Sequence, residues 1–346
     1  MKIGNKTLGD RAYIIAEAGV NHNGSLDRAK RLIKAAADAG ADAIKFQDYT
    51  ADDLVVKGTP KFWDAESKVD EGLDQYQAYE LTGGFPRENY IELIKCCEEN
   101  NIEFLCTPFS IESAAYLDSI GMKAFKVASS DMSYYPLLEH LSKLGKPILL
   151  STGASTMAEV QEAVDVIEGA GDAPIVLLHC TLCYPTKTED ANLNLIKTLK
   201  DEFINIPVGI SDHTLDAYTP ALAVAMGAVV VEKHFTLDKT LDISADHWLS
   251  LDSDQFREMV ALIRHAEVAK GSKQKQIFPC EEITRQLDKR SIVTAVQVAE
   301  GETIRKNMLT YKRPGTGIAP KFVKLVIGQK AKRTLPANTT LLWSML

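Results

Sequence analysis

Eight short apolar segments, each ending in polar residues able to do chemistry, constrain this chain more than any other feature. They read YIIAEAG from Tyr13, AIKFQ from Ala43, EFLCTPF from Glu103 and AFKVASS from Ala124. The series continues with PILLSTG from Pro147, IVLLHCT from Ile175, PVGISDH from Pro207 and VVVEKHF from Val229. Amphipathic helical stretches lie between most of them. An eight-fold strand–helix alternation predicts an α/β fold, a closed (β/α)8 barrel, whose catalytic groups sit at the C-terminal ends of its strands. Those ends carry Glu, Lys/Gln, Thr, Lys/Ser, Ser, His/Thr, Ser/Asp/His and Glu/His.

The helical grammar is regular. Ser25 caps a stretch with Ala29, Leu32, Ile33 and Ala36 at helical spacing, and Gly40 ends it. Thr156 caps the stretch after the fifth strand, and similar segments follow the seventh and eighth. The longest gap, residues 48 to 88, is polar but holds Phe62, Trp63, Tyr76 and Tyr79. Such an insertion on the catalytic face forms either a lid and pocket wall or a structural cover of the rim. After Gly271 the pattern changes. Residues 271 to 290 read as a polar linker, and 291 to 346 as a small, mostly β domain of short strands and Gly/Pro turns. The barrel is accordingly expected over 1 to 270.

With 346 residues the chain is long enough for a barrel plus one small domain. Its net charge of −8 argues against a generic nucleic-acid or anionic-membrane surface, though not against local lysines that hold a small anion. No apolar run nears the roughly 20 residues that span a bilayer. The start carries no charged region followed by a long apolar one, so the expected compartment is cytoplasmic. The 6 cysteines lack the spacing of a secreted disulfide scaffold. Cys180 and Cys183 form a C-x-x-C that continues a strand into a Pro-containing loop, without the helix N-terminus or second pair that redox or zinc chemistry requires.

Three constellations carry chemistry. By strand alternation Ser211 and His213 share one face, as do Glu232 and His234. Neighbouring strands bring the two histidines together as a divalent-metal site with open positions, unless each is a hydrogen-bonded structural residue. Lys45 and Lys126 lie within apolar strands, where a lysine either snorkels outward or holds an anion. With Gln47 and the hydroxyls of Thr107, Ser129, Ser151 and Ser211 they describe a phosphate or phosphate-plus-carboxylate site. Glu17 ends the first strand as an acid or base. Asp246 is a polyol contact or a loop acid. Lys233 falls on the opposite face and reads as structural, and His22 and His247 are ambiguous loop histidines. The set points to a lyase or transferase joining a phosphorylated three-carbon unit to a carbonyl compound. The rival is a Schiff-base aldolase using Lys45 or Lys126. A binding scaffold leaves the converging polar strand ends without a purpose.

The segments IIAEAGVNHNGSL, AIKFQ, CTPFS, FKVASSD, LLSTGAS, HCTLCYPT, GISDHT and EKHFTLDKT closely resemble the sialic acid synthase family. That family includes N-acetylneuraminate, legionaminate and pseudaminate synthases and spore-coat relatives. TYKRPGTGI and IGQKAKRTL resemble its C-terminal antifreeze-like domain (SAF, a β-clip). The resemblance implies condensation of phosphoenolpyruvate with an N-acylated hexose to a nine-carbon 2-keto acid and phosphate. N-acetylmannosamine is the first choice, and a legionaminate- or pseudaminate-type precursor the alternative. It implies His213 and His234 as ligands of Mn2+ or Mg2+, and Lys45, Thr107, Lys126, Ser129, Ser151 and Ser211 as phosphoenolpyruvate contacts. Glu17 would be the catalytic acid–base group, with Glu232 beside the metal. Gln47, Asp131, Tyr184 and Asp246 would hold the sugar, and Arg313 would enter the partner's site in a domain-swapped homodimer. The chain departs from the pattern at Leu182, where some relatives have Asn, and at Ser130 and Asp131, where Gly and Glu are usual. These positions surround the sugar.

Overall fold

The computed structural model describes residues 1–9, 11–63, 71–241 and 246–346. Eight parallel strands close a barrel: β1 (Tyr13–Gly19), β2 (Ala43–Asp48), β3 (Glu103–Pro108), β4 (Phe125–Val127), β5 (Ile148–Ser151), β6 (Ile175–Cys180), β7 (Val208–Asp212) and β8 (Val230–His234). Each pairs with its sequence neighbour, and β8 closes on β1 with His234 opposite Glu17.

Strand alternation sorts the side chains into two cores. Tyr13, Ile15, Ala43, Leu105, Leu149, Val176 and Val230 fill the barrel interior. Their outward neighbours, among them Ile14, Ile44, Leu150, Leu177 and Val231, pack against the helices. Ile3, from a short antiparallel pair (Lys2–Ile3 with Lys6–Thr7), joins the inner cluster and covers its lower end. The inward parity then continues past the apolar floor into Glu17, Lys45, Gln47, Thr107, Ser151, Ser211, Glu232 and His234. A barrel closed by apolar residues below leaves these polar groups facing only the upper mouth.

The helices form where capping and apolar period agree. Ser25 Oγ accepts from Arg28 N, and the following helix, Leu26–Asp38, buries Ala29, Leu32, Ile33 and Ala36. Thr156 and Glu159 make a reciprocal capping box on Met157–Ala170. Leu32 is fully enclosed. Leu32→Ala is expected to lower the unfolding free energy by about 2–5 kcal/mol, read from a denaturant melt. An unchanged midpoint would contradict this packing.

Contacts divide the chain into two compact units, Met1–Gly271 and Ser272–Leu346. The second holds an antiparallel pair, β9 (Ser291–Thr294) with β10 (Leu309–Lys312), extended by isolated bridges such as Val298↔Leu335. Its own core gathers Ile292, Val298, Ile304, Ile318, Val326, Leu335 and Leu341. Residues 271 to 290, read above as a linker, carry the helix Glu282–Leu287, and Gly315 N donates to the Gln286 carbonyl. That helix buries no side chain, which is why no apolar period marks it. Among the described residues no helix is long and apolar enough to cross a membrane.

Candidate active site

The mouth of the barrel opens into a cavity of about 410 Å³. Its floor is ionic. Lys45 Nζ lies 2.5 Å from Glu17 Oε2 and donates to Thr107 Oγ1 at 2.9 Å. Glu232 stands between the two lysines, 3.8 Å from Lys45 Nζ and 3.8 Å from Lys126 Nζ. Ser211 Oγ donates to Glu232 Oε1 at 2.9 Å, and Gln47 Nε2 to Glu17 Oε1 at 2.7 Å. All of these side chains are buried except Gln47, which is half-buried. Two ammonium groups against two carboxylates leave little net charge, and both lysines keep donor capacity for an incoming anion.

Gly19 makes room at the top of β1. Its φ is +51°, and any side chain there would come within 3.3 Å of those of Gln47 and Glu17. On the far side β4 stops at Val127, and a 3-10 turn, Ser129–Asp131, carries Ser129 and Asp131 to the cavity. Ser129 Oγ accepts from Gly153 N at 2.9 Å. Ser151 Oγ and Asp131 Oδ2 are buried without a hydrogen-bond partner. Such orphaned groups cost free energy unless a ligand meets them.

Burial sets the protonation balance. It pushes Glu17 up to about 7, with Lys45 opposing and Glu232 reinforcing the shift. Burial opposes ionisation of Glu232 too, but Lys126 and Lys45 beside it hold its pKa below the usual carboxylate value. Lys126 is lowered by burial, against the pull of Glu232. Asp131 and Asp246 are both raised by burial to about 6.

His213 and His234 face each other with ring centroids 5.3 Å apart. Tyr184 packs on both, at 4.1 Å and 5.9 Å between centroids. His213 Nδ1 is 3.0 Å from the Thr181 carbonyl, which can only accept, so in the neutral ring that nitrogen carries the proton and Nε2 holds the lone pair. His234 Nδ1 is buried and unpartnered, with Asp246 Oδ2 3.8 Å away. Burial and the neighbouring positive charges hold His234 neutral, well below its ordinary pKa. On His213 burial acts the same way, but Cys180 and the Thr181 carbonyl outweigh it and raise the pKa. Among the described residues no group of three or more His, Cys, Asp or Glu side chains is arranged to hold a metal. Two adjacent imidazoles, one with a fixed free nitrogen and one with an orphaned nitrogen, fit a divalent ion whose other positions go to water or substrate oxygen.

Every residue read from the sequence as a site residue lines this cavity except Arg313. Arg313 belongs to the second unit, where it pairs with Asp288 Oδ1 at 2.8 Å. The insertion contributes Tyr49, Leu54, Phe62, Trp63, Tyr79 and Leu81 to the lining; its residues 64 to 70 lie outside the described residues. Phe62 and Trp63 meet edge to face, and Tyr49 meets Tyr79 and Phe109. Tyr76 instead donates to Asp52. Sequence reasoning missed Tyr49, Phe109 and Trp248 as lining groups. Only their aromatic character signalled them, Tyr49 and Phe109 directly after β2 and β3 and Trp248 further along after β8. His22 packs on Phe85, and His247 bonds to Thr236, so both are structural. Cys180 and Cys183 are free thiols, the first buried and the second exposed.

The chain also resembles known proteins over most of its length. The model of the NeuB family matches residues 32–275. The chain belongs to the NeuB family. Its tail matches the SAF domain over residues 289–346. An N,N'-diacetyllegionaminic acid synthase of Legionella pneumophila is 41% identical over 96% of this chain and 93% of its own length. An uncharacterized protein of Methanocaldococcus jannaschii is 42% identical over 100% of this chain and 98% of its own. The crystal structure of an N-acetylneuraminic acid synthetase from Leptospira borgpetersenii superposes with a TM-score of 0.74 at 32% identity, covering 82% of this chain and 94% of that one. This NeuB-family chain is therefore an enzyme of the synthase type, a (β/α)8 barrel with a SAF domain.

Proposed function

We propose that this enzyme condenses phosphoenolpyruvate with the open-chain aldehyde of an N-acylated amino hexose, giving a nine-carbon 2-keto sugar acid and inorganic phosphate. The observation that carries the reading is the convergence of Lys45 and Lys126 on one buried cavity that also holds His213 and His234. Lys45, Lys126 and the hydroxyls of Thr107, Ser129, Ser151 and Ser211 bind the phosphate and carboxylate and fix the enol against the sugar. A divalent ion, Mn2+ or Mg2+, held by His213 and His234 would supply Lewis acidity at the sugar aldehyde. C3 of phosphoenolpyruvate bonds to the aldehyde carbon with the electron pair of its C2–C3 double bond, which leaves C2 electron-poor, and the aldehyde oxygen takes a proton from solvent to become a hydroxyl. Water adds at C2, losing its proton to Glu17. The tetrahedral carbon then becomes the ketone as its hydroxyl gives up its proton and the C–O bond to phosphate breaks, phosphate leaving with the electron pair and that proton. Gln47, Asp131, Tyr184 and Asp246 orient the sugar.

Among the candidate sugars, the apolar lining favours one bearing acetamido and methyl groups where others have hydroxyls. The side chains of Leu182, Phe62 and Leu81 carry no polar atom to meet an extra hydroxyl. A 2,4-diacetamido-2,4,6-trideoxyhexose meets that description, in line with the legionaminic acid synthase relative. Leu182→Asn is expected to shift selectivity toward N-acetylmannosamine by about 10-fold or more, measured as the ratio of kcat/KM values. An unchanged ratio would remove Leu182 from the sugar site.

The test of the whole reading is phosphate release from phosphoenolpyruvate with a panel of aldehyde sugars, with and without chelator. Release that needs both sugar and metal supports it; sugar-independent release, or full activity after exhaustive chelation, counts against it. One observation favours the Schiff-base alternative: burial lowers the Lys126 pKa, which favours the neutral, nucleophilic amine. Borohydride treatment with a carbonyl substrate is expected to leave no adduct, and a trapped Lys126 adduct would reverse the choice. Arg313→Ala is expected to reduce kcat without loss of fold if the SAF domain of a partner subunit caps the mouth, as in a domain-swapped homodimer; full activity would remove that role.

A further inference from the structure

The proposed chemistry leaves out Lys233, which sits between Glu232 and His234 on β8. Strand alternation turns it away from the cavity, and it is 1% exposed. An ammonium group enclosed this fully costs roughly several kcal/mol in lost hydration unless its donors are met. Here three acceptors meet them: Asp212 Oδ2 at 2.5 Å, Thr214 Oγ1 at 3.0 Å and the Thr214 carbonyl oxygen. Asp212 closes the same loop from the other side. Its Oδ1 accepts from Thr214 N at 3.1 Å, and its Oδ2 from Thr214 Oγ1 at 2.8 Å. The residue enclosed by this ring of bonds is His213.

The ring lies on the outer face of the barrel, one residue from each imidazole. Lys233 shares its backbone with His234, and Asp212 shares its own with His213. One ion pair therefore ties the two strand ends together just where the rings project. Ladder pairing of Val231 with Ile210 and Glu232 with Ser211 already joins β7 to β8. As a device for stability the pair is a poor choice, since well-packed apolar residues of similar size do as well or better. As a device for fixing a direction it is suitable: three bonds converge on a segment of three residues. His213 is held from the inner side as well, by Nδ1 on the Thr181 carbonyl and by its own carbonyl accepting from Thr186 N.

We propose that Lys233, Asp212 and Thr214 form a clamp that aims His213 and His234 at one shared divalent cation, which makes them positioning residues of the metal site. The inference rests on the metal reading of the two histidines. Groups that orient metal ligands from behind change affinity for the ion when they are altered, even though they never touch it.

The experiment uses the full-length protein freed of metal and titrated with Mn2+ alone, with free Mn2+ read by electron paramagnetic resonance. Thermal unfolding is followed on the same samples. Lys233→Met combined with Asp212→Asn removes both charges together, so no uncompensated ion is left in the interior. The expected result is Mn2+ binding weakened by about 10- to 100-fold in a folded protein. Thr214→Val, a gentler change that removes one hydroxyl, is expected to weaken binding by about 2- to 10-fold, the worth of one hydrogen bond. Mn2+ affinity equal to wild type in the Thr214→Val protein and in any folded double variant overturns the clamp. Wild-type protein that takes up no Mn2+ overturns the metal reading beneath it, which is a separate failure.

Discussion

Exchanging Lys126 for methionine is expected to lower kcat/KM for phosphoenolpyruvate by about 10²- to 10³-fold. The estimate follows from truncating one partner of a buried, hydrogen-bonded charge pair in a complex, about 3–4 kcal/mol, at about 1.4 kcal/mol per factor of ten. Lys126 is enclosed in the barrel, 3.8 Å from Glu232, and its other bond is to the Val127 carbonyl at 3.1 Å. Its ammonium is thus only loosely engaged and available to an anion. Lys45 is held more tightly by Glu17 and Thr107. The loss should fall on phosphoenolpyruvate, with the KM for the sugar changed little. Initial rates of phosphate release at varied concentrations of each substrate separate the two. Unchanged kcat and KM for phosphoenolpyruvate would take Lys126 out of the anion site.

Glu17→Gln is expected to cost about 10²- to 10⁴-fold in kcat, the range for loss of a positioned acid–base group. Glu17 must be ionised to take a proton from water, and its pKa stands at about 7. Wild-type activity should therefore fall as pH drops through about 7, and the variant should lack that limb. A variant that keeps both the rate and the limb would assign the water proton to another group. The same shift has a stability consequence. The folded protein binds a proton that the unfolded chain releases from the ordinary carboxylate value of 4.5 upward. Glu17 therefore costs stability as pH rises from 4.5 to about 7, opposite in sign to a salt-bridged carboxylate whose pKa is depressed.

Most of the site could be read from sequence because a barrel strand has a period of two and a known exit. Tyr13 and Ile15 fill the interior, so the same parity turns Glu17 to the mouth, and the count from Val230 leads likewise to Glu232 and His234. The count fails where strands end. Lys126 and Ser129 differ by an odd number yet both reach the cavity, because β4 stops at Val127 and a 3-10 turn rotates the chain. Such a turn leaves no mark on hydrophobic alternation. The helix Glu282–Leu287 escaped for a related reason: with no buried face it shows no apolar period. Lys233 was placed on the correct face, but its partner Asp212 was not legible. A one-residue offset between neighbouring strands decides whether two outward groups meet, and register across β7 and β8 is a tertiary property. The aromatic wall from the insertion was visible as composition only, since nothing in a polar loop says which of its rings turn inward.

The central claim is that two imidazoles and two ammonium groups share one cavity because they hold a cation and an enol phosphate side by side. Anomalous diffraction from crystals grown with Mn2+ and phosphoenolpyruvate tests it most directly. The expected map has a manganese peak in contact with both His213 and His234, and phosphate density within hydrogen-bond reach of Lys45 or Lys126. Manganese bound elsewhere, or phosphoenolpyruvate absent from the barrel mouth at saturating concentration, would contradict it.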